Sequence, residues 1–379
     1  MTHAPAVIII GSGLAGYTLA REFRKQDQTT PLTIITNDDG SFYSKPMLSS
    51  ALSQGKQASQ LVTSSAQEMS EKLAATILNH TKVNEIDSTQ HMINTSKGDF
   101  RYRSLILATG AIPFRPPING NAADDLLSIN NLDDYTHFRE RLESAQHVAI
   151  IGPGLIGCEF ANDLLHANKT ITIIGPDSYP LSGLLPKAVG LALQQALEQA
   201  GVNWQLGTTA TAVNHHDKGF QITLDNSTEI NADLVISAVG LRPDIALAQQ
   251  AGITVNRGIV TNELLVTSVS DIYALGDCAE VNGTNLPFVA PLMTGARALA
   301  KTLTGNQTLV KYPAMPVIIK TSACPLVVLP PPSDSEGEWS IKTDGRNISA
   351  RFIGSNSELL GFALSGEAIT EKQALLKAL

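Results

Sequence analysis

Val7-Ile8-Ile9-Ile10-Gly11-Ser12-Gly13-Leu14-Ala15-Gly16 is the stretch that decides the fold of this chain. Four β-branched residues in a row read as a short strand buried on both faces, as parallel strands are. The glycines that follow are spaced G-x-G-x-x-G. Residues 17–25 then carry helical periodicity, and Leu32-Thr33-Ile34-Ile35 reads as a second strand. In that context Gly11 makes the tight turn, Gly13 lets the backbone approach a pyrophosphate, and Gly16 lets helix and strand pack closely. The helix that starts near Leu14 and Ala15 offers phosphates its free N–H groups and the positive end of its dipole. Ser12 completes the loop.

The pattern recurs 141 residues later. Val148-Ala149-Ile150-Ile151 leads into Gly152-Pro153-Gly154-Leu155-Ile156-Gly157, a helix over 158–167 and a strand over 171–174. Each copy also closes in the same way, with Leu105-Ile106-Leu107-Ala108-Thr109-Gly110 in the first and Leu234-Val235-Ile236-Ser237-Ala238-Val239-Gly240 in the second. Both are apolar strands that stop at small residues, where the chain can cross between domains. Two such units imply two dinucleotides, most simply a flavin and a nicotinamide. A third stretch, residues 267–279, ends an apolar strand in Gly276-Asp277. There a glycine allows close approach and a carboxylate accepts hydrogen bonds from hydroxyls, as the ribityl end of FAD would require.

Composition agrees with an α/β chain of several domains. The 379 residues are 43% hydrophobic but only 16% charged, against about 25% in an average soluble protein, so much of the chain is expected to be buried. No apolar run reaches the ~18 residues of a membrane helix, and no basic region precedes the first apolar stretch as in a secretory signal. A net charge of −8 argues against nucleic acid as the main partner. That charge is uneven, at −10 over residues 1–280 and +2 over 281–379. Three scattered cysteines, Cys158, Cys278 and Cys324, form no framework and fit a reducing cytoplasm.

The paired fingerprints, Ala108-Thr109-Gly110 and Gly276-Asp277, in this order, resemble those of the two-dinucleotide-domain flavoprotein reductases. Within them the chain looks most like the rubredoxin–NAD⁺ reductases. The closer match lies in Tyr43-Ser44-Lys45-Pro46-Met47-Leu48-Ser49, residues 154–162 (GLIGCEFAN), Gly240-Leu241-Arg242-Pro243, Asn256-Arg257-Gly258 and residues 320–328 (KTSACPLVV). The reductases serving flavorubredoxin share much the same layout. The resemblance implies a discontinuous FAD domain (1–112 and 241–312), an inserted NAD domain (113–240) and a small C-terminal α/β domain (313–379). Within the last, residues 339–343, 348–353 and 359–364 read as strands and 367–379 as an amphipathic helix.

The resemblance also implies roles for single residues. Lys45, Glu159 and Lys320 would lie beside the flavin, Glu159 pairing with Lys45, and Val83 and Val289 would contact FAD. Asn37 and Asp38, after the second strand, would accept from the FAD adenosine ribose. In the second copy the place usually held by a ribose-binding Glu is Gly175, with Asp177 as a possible substitute, so the ribose contact stays open there. No Arg or Lys follows closely to hold a 2′-phosphate, which favours NADH. There is no C-x-x-C or C-x-x-x-x-C and no His beyond His216, so electrons are expected to leave the flavin without a thiol relay. The expected acceptor is rubredoxin, serving alkane hydroxylation or oxygen or peroxide detoxification. A flavorubredoxin reductase in nitric oxide detoxification, a ferredoxin reductase of an oxygenase system and an NADH oxidase are the alternatives, the last weakened by the lack of Cys in 41–48. Rubredoxins are generally acidic, so docking is expected on the +2 quarter, near Lys301, Lys311 or Lys320.

Overall fold

Each β-branched run ahead of a glycine turn becomes an inner strand of a parallel sheet. The structure, a computed structural model, describes residues 5–379. It divides into two compact units. The first comprises Met1–Lys45, Ser59–Ile112 and Leu241–Pro313; the second comprises Pro46–Ala58, Pro113–Gly240 and Ala314–Leu379.

In the first unit the strand Ala6–Ile10 runs between Leu32–Ile35 and Gly98–Leu107, parallel to both. Thr76–Leu78 and Ile272–Ala274 complete the parallel part at its two edges. Ile9 stands opposite Ile34 on one side and Ile106 on the other, and all three are fully buried. Each such side chain contributes about 1.5–3 kcal/mol by leaving water. The strand Gly98–Leu107 changes partners along its length. Residues 98–101 pair antiparallel with Met92–Thr95, and residues 104–107 pair parallel with 7–10. The helix Leu14–Arg24 buries Tyr17, Leu19, Ala20 and Phe23 in the same core as Ala296 and Leu299 of the helix Val289–Leu303.

In the second unit Val202–Leu206, Thr170–Gly175, His147–Ile151 and Leu234–Ser237 form a four-stranded parallel sheet in that order. A three-stranded antiparallel sheet follows, made of Ala210–His216, Gly219–Leu224 and Glu229–Ala232. The C-terminal part is a five-stranded antiparallel sheet ordered Val317–Ile319, Leu326–Leu329, Leu359–Ser365, Asn347–Gly354, Gly337–Asp344. Its inner strand buries Phe362, Ala363 and Leu364 completely, whereas the edge strand Gly337–Asp344 is mostly exposed. The helix expected over 367–379 forms instead as a 3₁₀ turn, Gly366–Glu371, and a short helix, Lys372–Leu376. Gly366 enters at φ +59°, Asn347 Oδ1 accepts the Glu367 N–H, and Glu371 is drawn onto Ser349 and Arg351. These side-chain contacts tie the segment to the sheet before a longer helix can run. No helix among the described residues is long and apolar enough to cross a membrane. The architecture is α/β, with two Rossmann-like dinucleotide folds and a C-terminal α/β part.

Candidate active site

The two glycine turns have nearly the same geometry. Gly11 and Gly152 take φ of +113° and +117°, and a Cβ on either would fall 2.2 Å from Ala108 O or 2.5 Å from Ala238 O. A Cβ on Gly16 or Gly157 would fall 2.0 Å from the carbonyl oxygen of Gly11 or Gly152. Gly13 and Gly154, by contrast, face open space. Both turns therefore close tightly on the strand side and leave bare backbone at the mouth, ahead of the helices Leu14–Arg24 and Leu155–Leu165. That is the cradle a pyrophosphate needs. Leu14, Ala15, Leu155 and Ile156 supply the first turns of those helices.

Around the first turn, Ser12 Oγ donates to Thr36 Oγ1 and to Asp38 Oδ1, both at 3.0 Å. Asp38 Oδ1 also takes Thr36 Oγ1 at 2.6 Å and the Gly40 N–H at 2.9 Å. One oxygen of Asp38 thus anchors the loop after the second strand, and exposed Asn37 stands beside it. Thr109 Oγ1 donates to Asp244 O at 2.8 Å, and the Asp244 N–H returns to Gly110 O at 2.9 Å. Gly276, at φ +84°, brings its turn so close that a Cβ would lie 2.9 Å from Ala15 Cβ. Burial raises the Asp277 carboxyl above its ordinary range, and the positive charge of Lys45 opposes that rise. The first unit therefore gathers Gly11, Ser12, Asp38, Ala108, Gly276, Asp277 and Lys45. Val83 lies half-buried against the same core, and Val289 opens its helix exposed.

The second unit holds a buried polar knot. Glu159 is 1% exposed. Its Oε1 accepts the Lys320 backbone N–H at 2.9 Å, and its Oε2 accepts Lys320 Nζ at 2.5 Å and Ser49 Oγ at 2.6 Å. Lys320 Nζ also donates to Pro46 O at 2.6 Å and Ser49 Oγ at 2.8 Å. Lys320 is thus a close cation of Glu159. A carboxylate so enclosed is tolerable only because every contact satisfies it. One turn further on, Asp163 accepts the N–H groups of Leu52 at 3.0 Å and Ser53 at 2.8 Å, and Asn162 Oδ1 accepts the Ala323 N–H at 3.1 Å. Arg139 Nη1 adds a bond to Lys56 O at 2.7 Å. This side-chain grip explains why Pro46–Ala58 belongs to the second unit.

Sequence reasoning passed over Asn162 and Asp163. The signal available was that 159, 162 and 163 share one face of a helix that is otherwise almost wholly apolar. Polar residues on such a helix must find protein partners. Lys320 directs its ammonium to Glu159, Ser49 and Pro46, while Lys301 and Lys311 are exposed.

A family model described as pyridine nucleotide-disulphide oxidoreductase matches residues 5–300, and one described as rubredoxin binding C-terminal domain matches residues 309–379. The chain is 45% identical over 374 residues to the rubredoxin-NAD(+) reductase of Alcanivorax borkumensis, with 98% of each chain covered. The chain belongs to the rubredoxin-NAD(+) reductase group of the pyridine nucleotide-disulphide oxidoreductase family. It is also 40% identical over 373 residues, again 98% of each chain, to a nitric oxide reductase FlRd-NAD(+) reductase of Escherichia coli. Among solved structures, the ferredoxin reductase for the CYP199A2 system of Rhodopseudomonas palustris shares the fold. Its TM-score is 0.89 at 23% identity, covering 97% of this chain and 93% of that one.

Membership in a disulphide oxidoreductase family directs attention to the thiols. Cys158, Cys278 and Cys324 are all buried and free, and burial raises each thiol above its ordinary range. Cys158 Sγ donates to Pro153 O at 3.5 Å, so it packs behind the second turn as a small buried residue. Thiols held in this way are poor nucleophiles.

Proposed function

We propose that the chain is an NADH-dependent, FAD-containing reductase of rubredoxin. Two glycine turns of like geometry, joined in one chain to a C-terminal segment matched by a rubredoxin-binding model, carry this reading. Bound FAD supplies what side chains cannot, accepting two electrons as hydride and releasing them one at a time to an iron centre. The first unit suits FAD, because its turn leaves bare backbone at Gly13 and its Gly276-Asp277 turn closes on the same helix. There Gly11 to Gly16, Asn37, Asp38, Val83, Ala108 to Gly110, Asp277 and Val289 hold the flavin nucleotide, and Lys45 places a cation beside the ring. Gly152 to Gly157 and Gly240 hold NADH, within an NAD domain at 113–240 inserted into an FAD domain at 1–112 and 241–312. Glu159 and Lys320 fix the segment that follows Lys45. The C-terminal domain, 313–379, docks the carrier. No Lys or Arg occurs between Gly175 and Pro186, which supports NADH over NADPH. The buried, unpaired cysteines support a cytoplasmic setting. The family resemblance supports supply of electrons to alkane hydroxylation or to oxygen or peroxide detoxification.

The test is NADH oxidation measured in parallel with purified rubredoxin, ferredoxin and oxygen. Fast turnover is expected with rubredoxin alone, and equal rates with ferredoxin would overturn the choice of acceptor. The second reading, a flavorubredoxin reductase, is favoured by the 40% identity to the Escherichia coli protein. It would displace the first if a flavorubredoxin domain supported a larger kcat/KM than free rubredoxin.

A further inference from the structure

The two turns differ at one pair of facing residues. In both, the first glycine donates its N–H to the carbonyl at the end of the second strand: Gly11 to Ile35 O and Gly152 to Ile174 O, each at 2.8 Å. That common bond makes Ser12 the counterpart of Pro153, Thr36 of Gly175, and Asp38 of Asp177. In the first unit the facing pair is hydroxylic, and Ser12 and Thr36 both donate to Asp38 Oδ1. The protein itself uses that oxygen.

In the second unit the pair is Pro153 and Gly175. Gly175 is buried and has no left-handed φ, so its backbone alone does not call for glycine. The proline ring does. A Cβ on Gly175 would lie 2.1 Å from Pro153 Cδ and 2.5 Å from Pro153 Cγ. Dinucleotide folds ordinarily place the acid that binds the ribose hydroxyls about 20 residues after the glycine turn, at this strand end. Here the ring occupies the space from which such a side chain would emerge.

Asp177 follows two residues later. Neither Pro153 nor Gly175 has a side-chain donor, so nothing in the turn draws its carboxylate inward as Asp38 is drawn. Its Oδ1 instead takes the hydroxyl of Ser182, and its main-chain carbonyl takes the Gly207 N–H at 3.0 Å. The loop that carries it is already folded back on the turn. The Leu181 N–H donates to Pro153 O at 2.9 Å, and Leu181 itself is buried.

We infer that Pro153 and Gly175 are a matched pair that removes the strand-end acid and assigns the adenosine ribose of NADH to Asp177, a carboxylate aimed by Ser182. The inference rests on the reading of this unit as the NADH site. An acceptor carboxylate there recognises a free 2′-hydroxyl and repels a 2′-phosphate.

Binding and stability test it on the FAD-loaded protein, without turnover. Gly175→Ala is expected to lower Tm by about 2–6 °C, and Pro153→Gly combined with Gly175→Ala to recover most of that loss. Asp177→Asn is expected to raise the Kd for ADP-ribose by about tenfold while moving the Kd for nicotinamide mononucleotide less than about twofold. Ser182→Ala should move ADP-ribose in the same direction by a smaller factor, and Ser182→Thr should restore it. Additive Tm losses in the Pro153/Gly175 cycle would overturn the matched pair. Unchanged ADP-ribose affinity in Asp177→Asn would overturn the ribose assignment. A wild-type chain that binds ADP-ribose but fails with every rubredoxin would sink the acceptor reading and leave this one standing. Failure of the wild type to bind ADP-ribose would sink both.

Discussion

The helices that follow the two glycine turns begin alike and end in different surroundings. On the first, Thr18, Arg21 and Glu22 occupy the places that Glu159, Asn162 and Asp163 take on the second. Arg21 is exposed, and Glu22 makes a local ion pair with Lys25. On the second helix Glu159 and Asp163 are each 1% exposed and Asn162 is 5% exposed, and all three hold backbone from other parts of the chain. The glycines thus keep one turn geometry in both copies, while the helix that follows takes up a different task in each. In the second copy that task is to fix Pro46–Ala58 and the start of the C-terminal part.

The most severe way to probe the comparison is to fill both turns. Gly16→Val and Gly157→Val each drive a side chain against a carbonyl 2.0 Å from the Cβ position, a clash worth about 3 kcal/mol or more. If the copies hold different nucleotides, Gly16→Val loses flavin and Gly157→Val keeps flavin but loses NADH binding. Equal loss of flavin absorbance from both variants would break that division. Glu159→Ala sharpens the comparison at the helix face. Removing a buried carboxylate strands Lys320, which is 30% exposed and so partly relieved by solvent, for a cost of about 2–3 kcal/mol. The rate of flavin reduction by NADH should fall more than flavin retention, and unchanged stopped-flow kinetics would contradict the role given to Glu159. The smallest effect is expected from Cys158→Ser, behind the second turn. Rubredoxin turnover should stay within about twofold, and a loss of orders of magnitude would reinstate thiol chemistry.

The turns and their strands were legible because local chemistry dictates them. A β-branched run must be buried, and a glycine facing a carbonyl at about 2 Å admits no other residue. Lys45 is reached only through the family resemblance, whereas Asp277 could be singled out on the same basis of local chemistry. The partner of Glu159 could not, because Lys320 lies 161 residues away and reaches Glu159 through tertiary packing alone. The grip of Asp163 on Leu52 and Ser53 was hidden for a related reason: the acceptors of backbone N–H groups leave no pattern in the residues that donate them. The last helix is cut short by contacts to the sheet, where Asn347 accepts the Glu367 N–H and Glu371 is held by Ser349 and Arg351.

The strand Gly98–Leu107 has a consequence for the order in which the chain assembles. Its antiparallel half forms a local hairpin with Met92–Thr95, and such short-range pairings close quickly. Its parallel half is completed on one side only by Ile272–Ala274, whose Ala274 pairs with Leu107. During synthesis at about 5–20 residues per second, that edge stays open for roughly 10–30 s while the intervening copy is made. The inserted copy can therefore finish folding before the one that encloses it, and the open edge is where a nascent chain would need protection.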